Sequence, residues 1–290
     1  MASFTAVDLS KLQAPDLIEA LNFETIFVDA LAQFRQLLPE FSALTESDPV
    51  YKLLQLFAAR ELLIRQRAND KAQQTMLAFA TGTNLDHLGA LFGVARLVLD
   101  PGQPETGIAP NYESDVDFRR RIQLAPEGFS VAGPEGAYIY HALSAAADVM
   151  DASATSPAPG QVLVTVQSRT GDGTAPQALL DEVAAILTND DVRPLTDSVT
   201  VQSAQIVPYA IRGRVYTYAG PDSTVVMREA LRSLQAYLDE AHRIGRDVPE
   251  SAIKAKLFAD GVQRVERACA EFCVTVVWVT AEEVAPRTGS

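Results

Sequence analysis

Cysteine, histidine and long apolar runs are scarce in this chain, and each scarcity removes a class of function. The 290 residues contain two cysteines and three histidines. Cys269 and Cys273 stand four positions apart. A disulfide between them needs a permissive local backbone, and a reducing compartment argues against one. Metal binding has no support either, because His87, His141 and His242 are scattered along the chain. The expectation is two buried or half-buried thiols, no metal and no cofactor. No apolar run approaches the ~20 residues that span a bilayer; the longest, Cys273 to Val279, has the length of a strand. The stretch from Met1 to Asp8 lacks both a basic segment and an apolar one, so no secretory signal is expected and the chain is expected to fold in the cytoplasm. Cationic charge is short as well: 24 Lys and Arg stand against 37 Asp and Glu, a formal net charge of −13. Such a surface repels phosphate backbones and anionic headgroups, which excludes nucleic acid and membrane as partners for the chain as a whole.

What is present is a chain with 48% hydrophobic residues, long enough to bury a real core. Its first ~95 residues carry helical periodicity. Leu17 to Leu38 places Leu17, Leu21, Ile26, Phe27, Ala30, Leu31, Phe34 and Leu38 at helical spacing, and Pro39 stops the run. Asp48-Pro49 supplies a cap and a favoured first helical residue. Val50 to Phe79 contains neither Gly nor Pro and predicts one helix of roughly 45 Å. Leu53, Leu54, Leu56, Phe57, Leu62, Leu63 and Ile64 crowd its first half. The second half is polar, with a thin seam through Ile64, Ala68, Ala72 or Thr75, Met76 and Phe79. Two readings fit that pattern: docking against helices from other chains, or a two-helix hairpin packed within its own domain.

Farther along, Thr83-Asn84-Leu85-Asp86 has the form of a capping box opening a short helix to about Phe92, ended by Gly93. Asp100 to Asn111, rich in Pro and Gly, reads as a linker. Ser114 is a good N-cap with Asp117 three residues on, and Arg119-Arg120-Arg121 follows, so the charge runs with the helix dipole. The expectation is a small, solvated helix. A connector at Ala125 to Pro134 precedes another helix at Glu135 to Ala147. The chain then changes character. Val162 to Val166 alternates as a strand, Gly171-Asp172-Gly173 turns, Thr174 caps a helix to Leu187, and Ser198 to Val201 is a second strand. A looser version follows, with Ile206 to Tyr218 extended, Asp222 to Arg243 and Pro249 to Phe258 helical, and Val262 to Glu266 and Cys273 to Val279 as strands. The fold class is α+β: an N-terminal long-helix region, then small α/β-sandwich-like domains with strand–helix–strand units.

Candidate chemistry is thin. Gly171-Asp172-Gly173-Thr174-Ala175-Pro176 lies between strand and helix, yet it lacks the Lys-Ser/Thr of a phosphate-binding loop and the spacing of a dinucleotide fingerprint. Three successive arginines on a helix point in different directions and cannot converge on one ligand; a solvated face or an interface salt bridge accounts for them. No histidine has a nearby nucleophile, and the acid pairs Glu113/Asp115, Asp190/Asp191 and Glu282/Glu283 fall at turns or element ends. Catalysis is not expected.

The run from Glu113 through Ser114, Asp115, Asp117 and Phe118 to Arg121 resembles the baseplate J-like family of contractile-tailed phages and tail-like bacteriocins. So do Ala132 to Tyr138, Thr155 to Gly160, Val192 to Asp197 and Gly245 to Pro249, in that order, and the likeness extends from Phe4 to about Val284. The resemblance implies a structural baseplate wedge component of a contractile injection apparatus, in a ring that joins sheath, hub and fibres and triggers contraction. It implies three regions: residues 1–99 as the helical wedge-core bundle, 100–205 as a middle α+β domain and 206–290 as a C-terminal α+β domain for dimerisation and ring contacts. The implied partners are a second copy of the chain, a related wedge protein, a sheath-initiator-like protein and hub or spike proteins. The implied location is the host bacterial cytoplasm during assembly and the tail baseplate thereafter. The resemblance also favours the intermolecular reading of the long helix, with Leu53, Phe57, Ile64, Ala68 and Met76 facing a partner. The competing readings are a cytosolic α+β enzyme and a generic helical adaptor.

Overall fold

A computed structural model describes residues 9, 12–13, 21–41, 44–130, 132–211, 213–218 and 222–267. The strand expected at Cys273 to Val279 and both cysteines lie outside the described residues. The chain divides into two compact units that meet at Pro126–Glu127.

The first unit begins with helix α1 (Phe23–Leu37). Asn22 caps it, its side-chain oxygen accepting from the Glu24 N–H at 2.9 Å. Helix α2 (Pro49–Gln73) starts as expected, with Asp48 at the cap position and proline in its first turn. Asp48 turns away from the helix, however, and accepts from the Thr45 N–H at 2.6 Å. The two helices bury Ile26, Phe27 and Ala58, with Phe23, Tyr51, Leu54 and Leu62 packed around them. Phe27 and Tyr51 meet edge to face at 4.9 Å between ring centroids.

Helix α2 stops at Gln73, six residues short of the Phe79 expected from the absence of Gly and Pro. The carbonyls beyond it have other donors. The Gln74 side chain donates to the Phe79 carbonyl at 3.2 Å and accepts from the Thr81 N–H at 2.9 Å. Arg119 donates from Nε to the Leu77 carbonyl and from a terminal nitrogen to the Ala80 carbonyl, both at 2.7 Å. Helix α3 (Gly82–Ala90) opens two residues before the expected capping box, with Thr81 in the cap position. The Gly82 N–H donates to Asp115 instead, at 3.2 Å, and Gly93 closes the turn at φ 70°.

Strands β1 (Val98–Asp100) and β2 (Asn111–Tyr112) pair antiparallel. The Pro/Gly-rich stretch between them is therefore a loop that returns to its origin, closed by a Gln103–Ile108 bridge, and not an extended linker. Helix α4 (Asp115–Gly128) follows. Ser114 caps it as expected, accepting from the Asp117 N–H at 3.1 Å. The connector expected at Ala125 to Pro134 is shorter than its composition suggested, because α4 continues through Pro126. A proline two residues from the helix end forfeits one backbone bond, while Leu124 and Ala125, at 2% and 0% exposure, hold that turn in the core.

The second unit is built on a three-stranded sheet in the order β3 (Val149–Thr155), β4 (Gln161–Ser168), β5 (Ser198–Ser203). Strand β3 runs antiparallel to β4, and β4 runs parallel to β5. The parallel pair is joined by helix α6 (Gln177–Leu187), the strand–helix–strand unit expected from the pattern. Helix α5 (Glu135–Ala145) packs on β3 and on α6, and α6 packs on β5, so both helices cover one face. Val164 and Val166 at the centre are fully buried, as are Val183 and Leu187 of α6. Thr174 is not the cap of α6. Its N–H donates to Asp172 at 2.9 Å, it bridges to Gln167, and Pro176 takes the cap position. The looser repeat is antiparallel: β6 (Gly213–Thr217) pairs with β7 (Val262–Arg267). Helices α7 (Ser223–Ala241) and α8 (Glu250–Leu257) pack with it around Val215, Val226, Met227, Ala230, Leu234, Leu257 and Val262.

Candidate functional site

The Arg-rich segment is densely bonded within the first unit. Arg121 is 4% exposed and Glu113 3%, and they form a two-pronged ion pair at 2.8 and 2.7 Å. Arg121 also donates to the Ala95 carbonyl at 2.7 Å, and Glu113 accepts from the Leu97 N–H at 3.2 Å. Arg96 donates to Asp86 at 2.8 Å and to the Glu113 carbonyl at 2.7 Å, and pairs with Asp115 at 2.7 Å. Both guanidinium groups sit over the buried Phe118 ring, Arg96 at 4.6 Å and Arg121 at 5.7 Å from its centroid. Burial opposes ionisation of Arg96, yet its bonds to Asp86 and Asp115 prevail and raise its pKa. Burial likewise opposes ionisation of Asp115, but the Gly82 N–H and Arg96 bring its pKa down. The segment is thus no solvated face: Arg119 and Arg121 bond to acceptors within the first unit. Burial of Arg121 and the bonding of Arg119 were not visible from charge spacing alone, because their acceptors lie at Leu77, Ala80, Ala95 and Glu113.

Other resemblance-bearing stretches meet one another in the second unit. Gly133 has φ 73°, and a Cβ there would lie 2.7 Å from Pro194 and 2.9 Å from the Asp197 carboxylate. The Tyr138 hydroxyl donates to that carboxylate at 2.8 Å. Burial, then the Asp197 bond, push the Tyr138 hydroxyl well above its ordinary range. The Ser198 N–H donates to the Gly160 carbonyl at 2.7 Å, fixing the entry to β5.

The histidines do not converge. His87 lies in the last turn of α3, and His242 is the C-cap of α7. His141 sits in α5 with Nε2 3.2 Å from the Gly128 carbonyl. Among the described residues no group of three His, Cys, Asp or Glu could hold a metal ion. Burial lowers the pKa of His141 below its ordinary 6.5, outweighing the Gly128 bond. Unfolded, His141 binds a proton near pH 6.5; folded, it does so only at lower pH. Its contribution to stability is complete above that range and is lost on acidification down to the folded pKa. His141→Gln is expected to flatten this part of a plot of unfolding midpoint against pH from 7.5 to 4.5, measured by circular dichroism.

What remains is the outward side of α2. Tyr51, Leu54, Ala58 and Leu62 face α1. On the opposite side Leu53, Leu56, Phe57, Leu63 and Ile64 are 49%, 56%, 56%, 63% and 66% exposed. At about 100° per residue these five fall within about 120° of the helix circumference. Of the residues expected to face a partner, Leu53, Phe57 and Ile64 share this stripe, with Ala68 exposed near its end. Met76 is half-buried beyond the end of α2 and does not extend the helical seam. Arg60, Arg67 and Lys71, which apolar character alone does not pick out, continue the stripe and are exposed. The signal was the spacing: positions 53, 57, 60, 64, 67 and 71 advance by alternate steps of four and three, as along a coiled-coil seam.

The first unit thus turns an apolar helical stripe outward, while Arg121 and Glu113 are paired with each other inside it. Residues 46–103 match the model of the baseplate J-like N-terminal domain, and residues 130–203 match that of the baseplate J-like central domain. The chain is 47% identical over 272 residues to baseplate protein J of Escherichia phage P2, covering 90% of each chain. It belongs to the baseplate J-like family.

Proposed function

We propose that the chain is a structural component of a baseplate wedge in a contractile injection apparatus, and that its work is mechanical. Two copies join a related wedge protein through their N-terminal helical regions, residues 1–99. Residues 100–205 form a middle domain, and residues 206–290 link neighbouring wedges into a ring around the hub and spike, in contact with a sheath-initiator-like protein. The ring joins sheath, hub and fibres and releases contraction when it rearranges. Assembly takes place in the host cytoplasm, and the finished chain resides in the tail baseplate. The observation that carries this reading is the exposed stripe Leu53, Leu56, Phe57, Leu63, Ile64 on a helix whose other side is already packed. Five large apolar side chains on one free helix face favour burial against another helix.

Leu53→Asp with Phe57→Asp is expected to abolish wedge assembly while circular dichroism reports a folded chain, since both side chains lie off the α1–α2 contact. A folded double variant that assembles normally would remove the stripe from the interface. Chemistry plays no part in the proposed role. Exhaustive chelation is expected to leave the thermal unfolding midpoint unchanged; a stoichiometric zinc or calcium signal in the purified protein would contradict that.

A further inference from the structure

The seam of α2 changes character along its length. Leu53, Phe57 and Ile64 supply apolar positions, but Arg60, Arg67 and Lys71 occupy the others, so its C-terminal half is basic. Helix α2 carries five basic residues, Lys52, Arg60, Arg65, Arg67 and Lys71, against two acidic ones, Glu61 and Asp70. That is an excess of three positive charges (five minus two) in a chain of net charge −13. Glu61 lies off the stripe and is already paired with Arg65. Among the described residues the side chains of Arg60, Arg67 and Lys71 form neither an ion pair nor a hydrogen bond. Cations placed at seam positions are desolvated on docking and require opposite charges there.

Resting on the wedge reading above, we propose that the occupant of this stripe is an amphipathic helix of another protein. Its apolar half lies against Leu53 to Ile64, and its carboxylates meet Arg60, Arg67 and Lys71. A second copy of α2 does not fit. Parallel pairing in register sets Arg60 on Arg60, Arg67 on Arg67 and Lys71 on Lys71. Antiparallel pairing about residue 62 sets Leu53 on Lys71, Phe57 on Arg67 and Arg60 on Ile64, leaving every cation against an apolar side chain. Like or unpaired charge at such positions selects against self-association. Arg60 and Arg67 stand seven residues apart, about 10.5 Å along the axis, so the partner presents carboxylates at that repeat.

The test is assembly in a producer strain that lacks the gene and expresses the full chain from a plasmid, with intact tails counted by electron microscopy. Arg60→Glu, Arg67→Glu and Lys71→Glu together are expected to lower the tail count at least tenfold. Arg60→Lys with Arg67→Lys, which keeps the charge, is expected to stay within twofold of the unaltered chain. All three positions are exposed, and circular dichroism of each purified variant checks its fold. Normal tail counts with the glutamates, beside loss with Leu53→Asp/Phe57→Asp, would overturn the acidic partner and leave the docking stripe standing. Normal counts in both would overturn the docking reading as well. Equal loss with lysine and with glutamate would overturn selection by charge. A purified unaltered chain that sediments as a dimer, and as a monomer once Leu53 and Phe57 are aspartate, would put a second copy on the stripe and likewise overturn the proposal.

Discussion

Arg121→Ala is expected to destabilise the first unit by about 3–5 kcal/mol, the range for breaking a buried ion pair from one side. Glu113, 3% exposed in the intact chain, would keep the Leu97 N–H but lose both guanidinium bonds, and the Ala95 carbonyl would lose its guanidinium as well. An unpaired carboxylate in that position is the costly product, more than the lost attraction itself. Removing both charges should therefore hurt less than removing one: Glu113→Leu with Arg121→Met is expected to recover much of the loss. Two compact units need not unfold together. Amide exchange across α4 is the measurement of choice, because it reads the first unit directly. Arg121→Ala exchange rates equal to those of the unaltered chain would show that the pair contributes no stability.

Phe118→Ala should be comparably severe. The ring is 0% exposed and lies against α3, where a Cβ on Gly89 would come within 2.6 Å of its Cζ. Truncating such a side chain costs about 3–5 kcal/mol, through lost burial and the cavity left behind. Here the loss also takes away the surface on which Arg96 and Arg121 rest. Groups in one contact network do not add. The Phe118→Ala/Arg121→Ala double variant is expected to lose less than the sum of the two single losses, and strict additivity would separate the ring from the ion pair.

Local chemistry made much of the fold legible. Ser114 caps α4 and Asp222 caps α7, each with a side-chain oxygen on a backbone N–H as its residue type favours. The alternation at Val162 to Val166 marked β4, and Ser198 to Val201 marked β5. Readings failed where a distant group decided the outcome. Nothing between Val50 and Phe79 stops a helix, but the carbonyls past Gln73 bond to Gln74 and to Arg119, some 40 residues on. Three adjacent arginines read as solvated because spacing shows charge and not burial. Thr174 had the right type for a cap, yet Asp172 and Gln167 claimed its backbone. For the candidate site, the exposure of Leu53, Phe57 and Ile64 agrees with a narrow seam, while Met76 depended on a helix longer than the one formed. The resemblance-bearing stretches were recognisable by order alone. Their reason is structural: Gly133 leaves room for Pro194 and Asp197, and Tyr138 holds Asp197.

Strand β3 lies at one border of its sheet. A bare border of this kind invites stray strands to add on, which is how β-rich chains aggregate. Here the segment after α7 lies against it: Arg243 donates to the Met150 carbonyl at 2.7 Å, and the Ile244 N–H donates to Asp151 at 2.9 Å. The Val149–Asp151 irregularity in the β3–β4 register falls at the same place. At the opposite border β5 is six residues long and exposes Ser198, Thr200 and Gln202, small or polar groups that give a stray strand little to grip. Both borders of this sheet are thereby poor templates for a strand from another copy of the chain.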